Sequence, residues 1–216
     1  MRKTFDAELL ELNEALTAMA RTAQDAIDVV TESLSTDDEA HAKAAIDMTA
    51  SMDQMERDIE NRCLQLLLRQ QPVARDLRAI SAAMKMVTDL QRIGDQAADI
   101  AELTLLLCRQ DGITTAGQLK EMARSTIHMV SGAIDAFVRR DLHMAREIME
   151  YDDVVDRQFD EIKARLVAAI KEDRDLGETA IDEIMIAKYF ERIGDHAVNI
   201  AEWVDFSITG SLLSGS

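Results

Sequence analysis

Residues 92–102 read RIGDQAADIAE and residues 192–202 read RIGDHAVNIAE, with eight of the eleven positions identical at an offset of 100 residues. Self-similarity at a fixed spacing is the mark of an internally repeated architecture. The same offset runs upstream without a gap, setting Asp53, Glu56, Arg57 and Glu60 beside Asp153, Asp156, Arg157 and Asp160. Further upstream the register changes. Ala26-Ile27-Asp28 matches Ala133-Ile134-Asp135 at an offset of 107, so the first hairpin of the second half is shorter by seven residues. Seven residues make about two helical turns, a deletion that leaves the apolar face pointing the same way.

The periodicity around these matches is helical. Three segments fill the first half, roughly 4–35, 38–71 and 73–109, and three fill the second, roughly 117–140, 142–173 and 178–208. A single proline, eight glycines and 4% aromatic residues favour helix over sheet. Thr36 with Glu39, and Thr115 with Gln118, fit the capping box. Pro72 suits a first helical turn, and Gly112, Gly117 and Gly177 suit connections. The expected fold is all-α: six long helices in two pseudo-repeated, elongated three-helix bundles, 1–110 and 116–210, divided within 109–117.

A net charge of −17 opposes binding to nucleic acid or directly to an anionic leaflet. Acids at Asp6, Glu8 and Glu11 interrupt any secretory signal, and no apolar run approaches the ~20 residues of a membrane span. Cys63 and Cys108 stand singly, without a C-x-x-C, and read as core thiols of a cytoplasmic protein.

Chemistry concentrates in carboxylates. At 100° per residue, Asp95, Asp99 and Glu102 share one face of the third helix, and Asp195, Asn199 and Glu202 one face of the sixth. Glu191 extends the second stripe, where Gln91 is its neutral counterpart. Asp53, Glu56 and Glu60 cluster on the second helix, as do Asp153, Asp156 and Asp160 on the fifth. With 41 acids in the chain, solvated faces are one explanation. Their recurrence at a fixed offset points to the other, an oxygen-rich site for Mg, Mn, Ca or Fe rather than a structural zinc centre. Arg92, Arg192, Arg57 and Arg157 offer local ion pairing instead.

Other motifs are weaker. Gly94 and Gly194, flanked by Ala97, Ala101, Ala197 and Ala201, read as close helix packing. No Glu-x-x-His pair, P-loop or G-x-S-x-G occurs. His196 lies beside Asp195, and nothing in the surroundings of His41, His128 or His143 singles one out. The twelve methionines read as core filler.

Arg92-Ile93-Gly94-Asp95 with Ile100-Ala101-Glu102, its repeat Glu191 to His196 and Asn199 to Glu202, and Pro72-Val73-Ala74 with Asp76-Leu77-Arg78 together resemble the PhoU family over nearly the whole chain. The resemblance implies paired three-helix bundles, a homodimer, and a negative regulator of phosphate uptake and phosphate-starvation signalling. The implied partners are the transporter ATPase PstB and the sensor histidine kinase PhoR. It also implies multinuclear iron or other metal clusters, of unassigned identity among Fe, Mn, Mg, Ca and Zn, on E/D-x-x-x-D motifs. Glu56 to Glu60, Asp95 to Asp99, Asp156 to Asp160 and Glu191 to Asp195 have that spacing, and Gln91 departs from it. A carboxylate-bridged metal-dependent enzyme and a purely structural spacer are the alternatives.

Overall fold

A computed structural model describes residues 2–36, 39–70, 72–107 and 115–211, less the side chains at 2–4, 35–36 and 69–70. The helices are α1 (Arg2–Thr36), α2 (Glu39–Ala50), α3 (Met52–Gln70), α4 (Ala74–Leu107), α5 (Ala116–Arg139), α6 (Leu142–Glu172) and α7 (Gly177–Thr209), with a 3-10 turn at Arg174–Leu176. Among the described residues there is no strand. The two repeats are α1 to α4 and α5 to α7.

The expected second helix is broken. At Ser51 the hydroxyl donates to the Met48 carbonyl at 2.8 Å, and the Ser51 N–H reaches the same oxygen at 3.2 Å. A short hydroxyl that competes for backbone acceptors bends a helix without any glycine or proline. In the second repeat α6 runs through the same position unbroken. The missing seven residues come from both arms of the hairpin: α1 continues about two turns past Asp28, α5 only about one past Asp135. The shortened hairpin turns tightly at Arg140, whose φ of 55° is left-handed, and Asp141 then caps α6 by accepting from the His143 and Met144 N–H groups at 3.0 and 3.1 Å.

Other local expectations are corrected. The Thr115 hydroxyl makes no cap to α5; it donates, as does the Thr115 N–H (2.8 Å), to the fully buried Glu183 carboxylate on α7. A buried carboxylate needs donors more than a helix start needs a hydroxyl. Pro72 precedes α4 rather than entering it, and the Val73 carbonyl accepts the first helical bond, from Leu77 N–H at 2.9 Å. Gly117 lies in the first turn of α5, and Gly177 begins α7 with ordinary helical angles. Gly112, Cys108, the Thr36 side chain and most of the 109–117 boundary lie outside the described residues.

One continuous apolar cluster runs through both repeats, and its fully buried members include Leu12, Ile27, Met52, Met86, Leu90, Ile93, Phe190 and Ile193. The most extensive helix contact is between α4 and α7, with α1 against α5 beside it. α4 and α7 run antiparallel: Asp89 of α4 meets His196 and Asn199 of α7, while Asp99 lies within electrostatic reach of Arg192. The repeats thus lie side by side along their third helices. Met19, Met52, Met86, Met122 and Met129 are fully buried, as core filler should be. Burial raises the Cys63 thiol to about 12, the state of an inert core cysteine.

Candidate functional site

The two acidic sites are built alike, each from the middle and third helices of its repeat. Gly94 lets α3 approach α4 so closely that an added Cβ would stand 2.6 Å from Met52 Sδ; Gly194 brings α6 to α7, where an added Cβ would stand 3.2 Å from Asp152 Oδ1. The close-packing reading of both glycines holds. The comparison also sets Met52 and Asp152 at equivalent points, 100 residues apart.

In the first repeat, Glu56 of α3 is surrounded by Glu60, Asp53 and Asp95, with Arg92 opposing them; its carboxyl is pushed up chiefly by desolvation, then by Glu60 and Asp53. Gln91 neutralises the centre of this group. Its amide nitrogen donates to Asp53 Oδ1 at 2.6 Å and to Asp95 Oδ1 at 3.3 Å, and Arg92 reaches Asp95 at 3.2 Å. Asp99 lies farther along α4, raised by desolvation and by Glu102 and Asp95, and opposed by Arg192 from the other repeat. The first site is therefore a chain of acids bridged by an amide, with two guanidinium groups offsetting part of its charge.

In the second repeat the bridging amide is gone. Glu191 stands in its place, paired with Lys188, and Asp152 replaces the thioether of Met52. Asp152 carries the strongest signal among the acids: desolvation first, then Asp156, Asp195, Glu191 and Asp153, raise its carboxyl from 3.8 to about 6. Its Oδ1 is buried and has no hydrogen-bond partner. Asp156 is also raised, by desolvation, Glu191, Asp153 and Asp160, with Lys188 opposing. Glu202, seven residues beyond Asp195 on α7, lies about two turns, ~10 Å, from this group. Asp53, Asp153, Asp156, Asp160, Asp195 and Glu102 are exposed.

Like charges hold these carboxylates apart, and among the described residues no three His, Cys, Asp or Glu side chains converge tightly enough for a metal ion. The second site nevertheless fits a hard cation in its donor chemistry: five carboxylates, one with an orphaned buried oxygen. The first site fits less well, because the Gln91 amide occupies the position between Asp53 and Asp95 that a cation would fill. Asp152 escaped the sequence reading, which matched acid with acid; extending the offset by one residue, from 153 to 152, exposes the substitution of Met52 by Asp152. His196 turns away from Asp195 and pairs through Nδ1 with Asp89 at 2.9 Å.

Comparison with known proteins places the repeat in a family. The PhoU domain model matches twice, over residues 16–104 and 119–204. The chain belongs to the PhoU family. It is 35% identical over 210 residues to a phosphate-specific transport system accessory protein PhoU homolog of Clostridium acetobutylicum, covering 97% of this chain and 96% of that one. A homolog of the same description from Pseudomonas aeruginosa is 34% identical over 209 residues, covering 96% and 86%. The crystal structure of PhoU from Pseudomonas aeruginosa superimposes with a TM-score of 0.91 at 33% identity, covering 96% of this chain and 100% of that chain. The regulatory protein PhoU from Streptococcus pneumoniae superimposes with a TM-score of 0.90 at 25% identity, covering 97% and 99%. The all-α, paired-bundle PhoU fold expected from the repeat is the fold observed.

Proposed function

We propose that this PhoU-family chain is an accessory protein of a phosphate transport system, a negative regulator of phosphate uptake and starvation signalling that links a PstB-like ATPase to a PhoR-like sensor kinase. The relatives' description as transport accessory proteins carries this reading. The chain supports an adaptor in two ways. Among the described residues no helix is long and apolar enough to cross a membrane, and in this reading the chain meets the transporter through protein surfaces on the cytoplasmic side. Exposed Leu64, Leu68, Val73 and Leu77, bracketing the α3–α4 connection, offer apolar contact area.

Metal binding belongs to the same proposal, centred on the second repeat. Asp152, Asp153, Asp156, Glu191 and Asp195 would hold the ion, with Asp160 and Glu202 flanking. In the first repeat Asp53, Glu56, Glu60, Asp95, Asp99 and Glu102 would bind more weakly. A bound cation would supply charge compensation and cross-link α6 to α7. The side chains themselves set the spacing of those helices and exclude water from Asp152 Oδ1. The homodimer is part of the reading.

The decisive experiment is a chromosomal deletion scored for phosphate-starvation reporter expression in phosphate-replete cells, with pull-down of the ATPase and kinase by the purified chain. Derepression with capture of both is expected; repression unchanged would sink the regulatory reading. Elemental analysis of untagged protein tests the metal, and turnover abolished by Asp95→Ala with Asp195→Ala would favour the metal-dependent enzyme.

A further inference from the structure

In a chain of net charge −17, Arg75, Arg78 and Arg140 lie within electrostatic reach of one another around the C-terminal end of α7, with Asp76 as the acid among them. Arg75 and Arg78 stand on the first turns of α4, and Arg140 occupies the left-handed turn between α5 and α6. Arg78 lies against the Cα of Gly210, which ends α7: an added Cβ there would be 3.5 Å from its Nε, Cζ and one terminal nitrogen. The start of α4, the α5–α6 turn and the end of α7 therefore meet here. Among the described residues none of the three guanidinium groups has an ion-pair partner, and Arg78 Nε is buried with no acceptor. Desolvation first, and then the charges of Arg75 and Arg78, lower the Arg140 pKa; only Asp76 opposes them.

Burying donors without acceptors and gathering like charges both cost stability. A fold that retains both has a use for an anion between them. Guanidinium forks match the tetrahedral oxygens of phosphate, the α4 dipole places its positive end on the same side, and more than one arginine favours a dianion over a single carboxylate. The carboxylates elsewhere repel such a ligand, which leaves this corner as the place where it can land.

We propose that Arg75, Arg78 and Arg140 form a binding site for a phosphate-type oxyanion, either inorganic phosphate or the terminal phosphoryl group of a nucleotide. The site needs no metal and stands on the arginine geometry rather than on the regulatory reading.

The test is calorimetric titration of the full, untagged chain in EDTA, which removes any cation that could bridge phosphate to the acidic faces. Inorganic phosphate and ATP are titrated separately, with sulfate as competitor. Saturable binding of phosphate, competed by sulfate, supports the site with free phosphate as its source; saturation by ATP alone supports it with the nucleotide as source. Arg75→Gln, on an exposed side chain, and Arg140→Gln each weaken binding at least about tenfold, and circular dichroism checks their fold. Arg57→Gln on α3 leaves binding unchanged. The proposal fails if neither ligand saturates, if binding survives both substitutions, or if Arg57→Gln weakens it equally.

Discussion

Asp152→Asn should make the metal-free protein more stable at neutral pH. In the wild type, burial and four neighbouring carboxylates raise this group from 3.8 to about 6. One pKa unit corresponds to 1.36 kcal/mol, so the shift amounts to ~3 kcal/mol, and solvent screening at a half-buried site roughly halves it to about 1–2 kcal/mol. The sign follows from proton binding. Between about 4 and about 6 the folded chain holds a proton that the unfolded chain has released, so wild-type stability falls as pH rises through that window. Asparagine has nearly the same shape and no proton to lose. In urea denaturation with EDTA, the variant should match the wild type near pH 4 and lead by about 1–2 kcal/mol above pH 7. Other raised carboxyls, such as Glu56 and Asp99, titrate in both proteins and cancel in the difference. Adding Mn²⁺ should reverse the order, because a ligand that binds only the folded state stabilises the wild type by mass action. A stability difference independent of pH, or an asparagine variant less stable at pH 8, would refute the reasoning.

Gln91→Glu removes the amide shared by Asp53 and Asp95 and should destabilise the metal-free chain by about 1 kcal/mol, more in low salt than high, as read by thermal melts; with Mn²⁺, metal stoichiometry should rise. Thr115→Val leaves the buried Glu183 short of a donor and should cost about 1.5–3 kcal/mol in urea denaturation. Gly94→Ala drives a methyl into the buried Met52, an overpacking cost of about 1–3 kcal/mol against ~1 kcal/mol of helix propensity gained; Gly194→Ala meets only a 3.2 Å contact and should be near neutral, so the melting temperature should fall more at 94 than at 194.

The six-rod architecture was legible because the repeat and the helical period reinforce each other across some thirty residues at a time. The break at Ser51 was not. Met48, Ser51 and Met52 contain no breaker, and the bend depends on a hydroxyl choosing a backbone acceptor within its own turn. The same limit hid the fate of Thr115: a capping box and a donor to Glu183 look identical until α7, 68 residues away, is placed beside α5. The acid stripes were legible as faces, but their chemistry depends on cross-helix neighbours. Asp152 becomes distinctive only when Asp195 and Glu191 arrive from α7, and Gln91 becomes a bridge only when Asp53 arrives from α3. The arginine corner draws on three distant segments, and nothing in the sequence brings Arg140 beside Arg78.

The duplicated motif itself separates packing from chemistry. Of its eight identical positions, the five apolar ones, Ile93, Gly94, Ala97, Ile100 and Ala101, are buried, as are their counterparts on α7. Close helix packing, against α3 at Gly94 and against α6 at Gly194, and burial in the core account for them without any appeal to function. At two of the three positions that differ the repeats have different tasks: Gln96 is buried while His196 turns to Asp89, and Asp99 faces Arg192 while Asn199 donates to Asp89 at 3.2 Å. Only Arg92, Asp95 and Glu102, with Arg192, Asp195 and Glu202, are both repeated and polar, so they alone in the motif argue for a shared site. Just outside the motif, Gln91 with Met52 and Glu191 with Asp152 make the two sites unequal. An antiparallel seam that holds the scaffold constant lets those two exchanges set the charge of each site separately, which is why the second repeat, with carboxylates in place of Gln91 and Met52 and no bridging amide, is the one to probe first for metal.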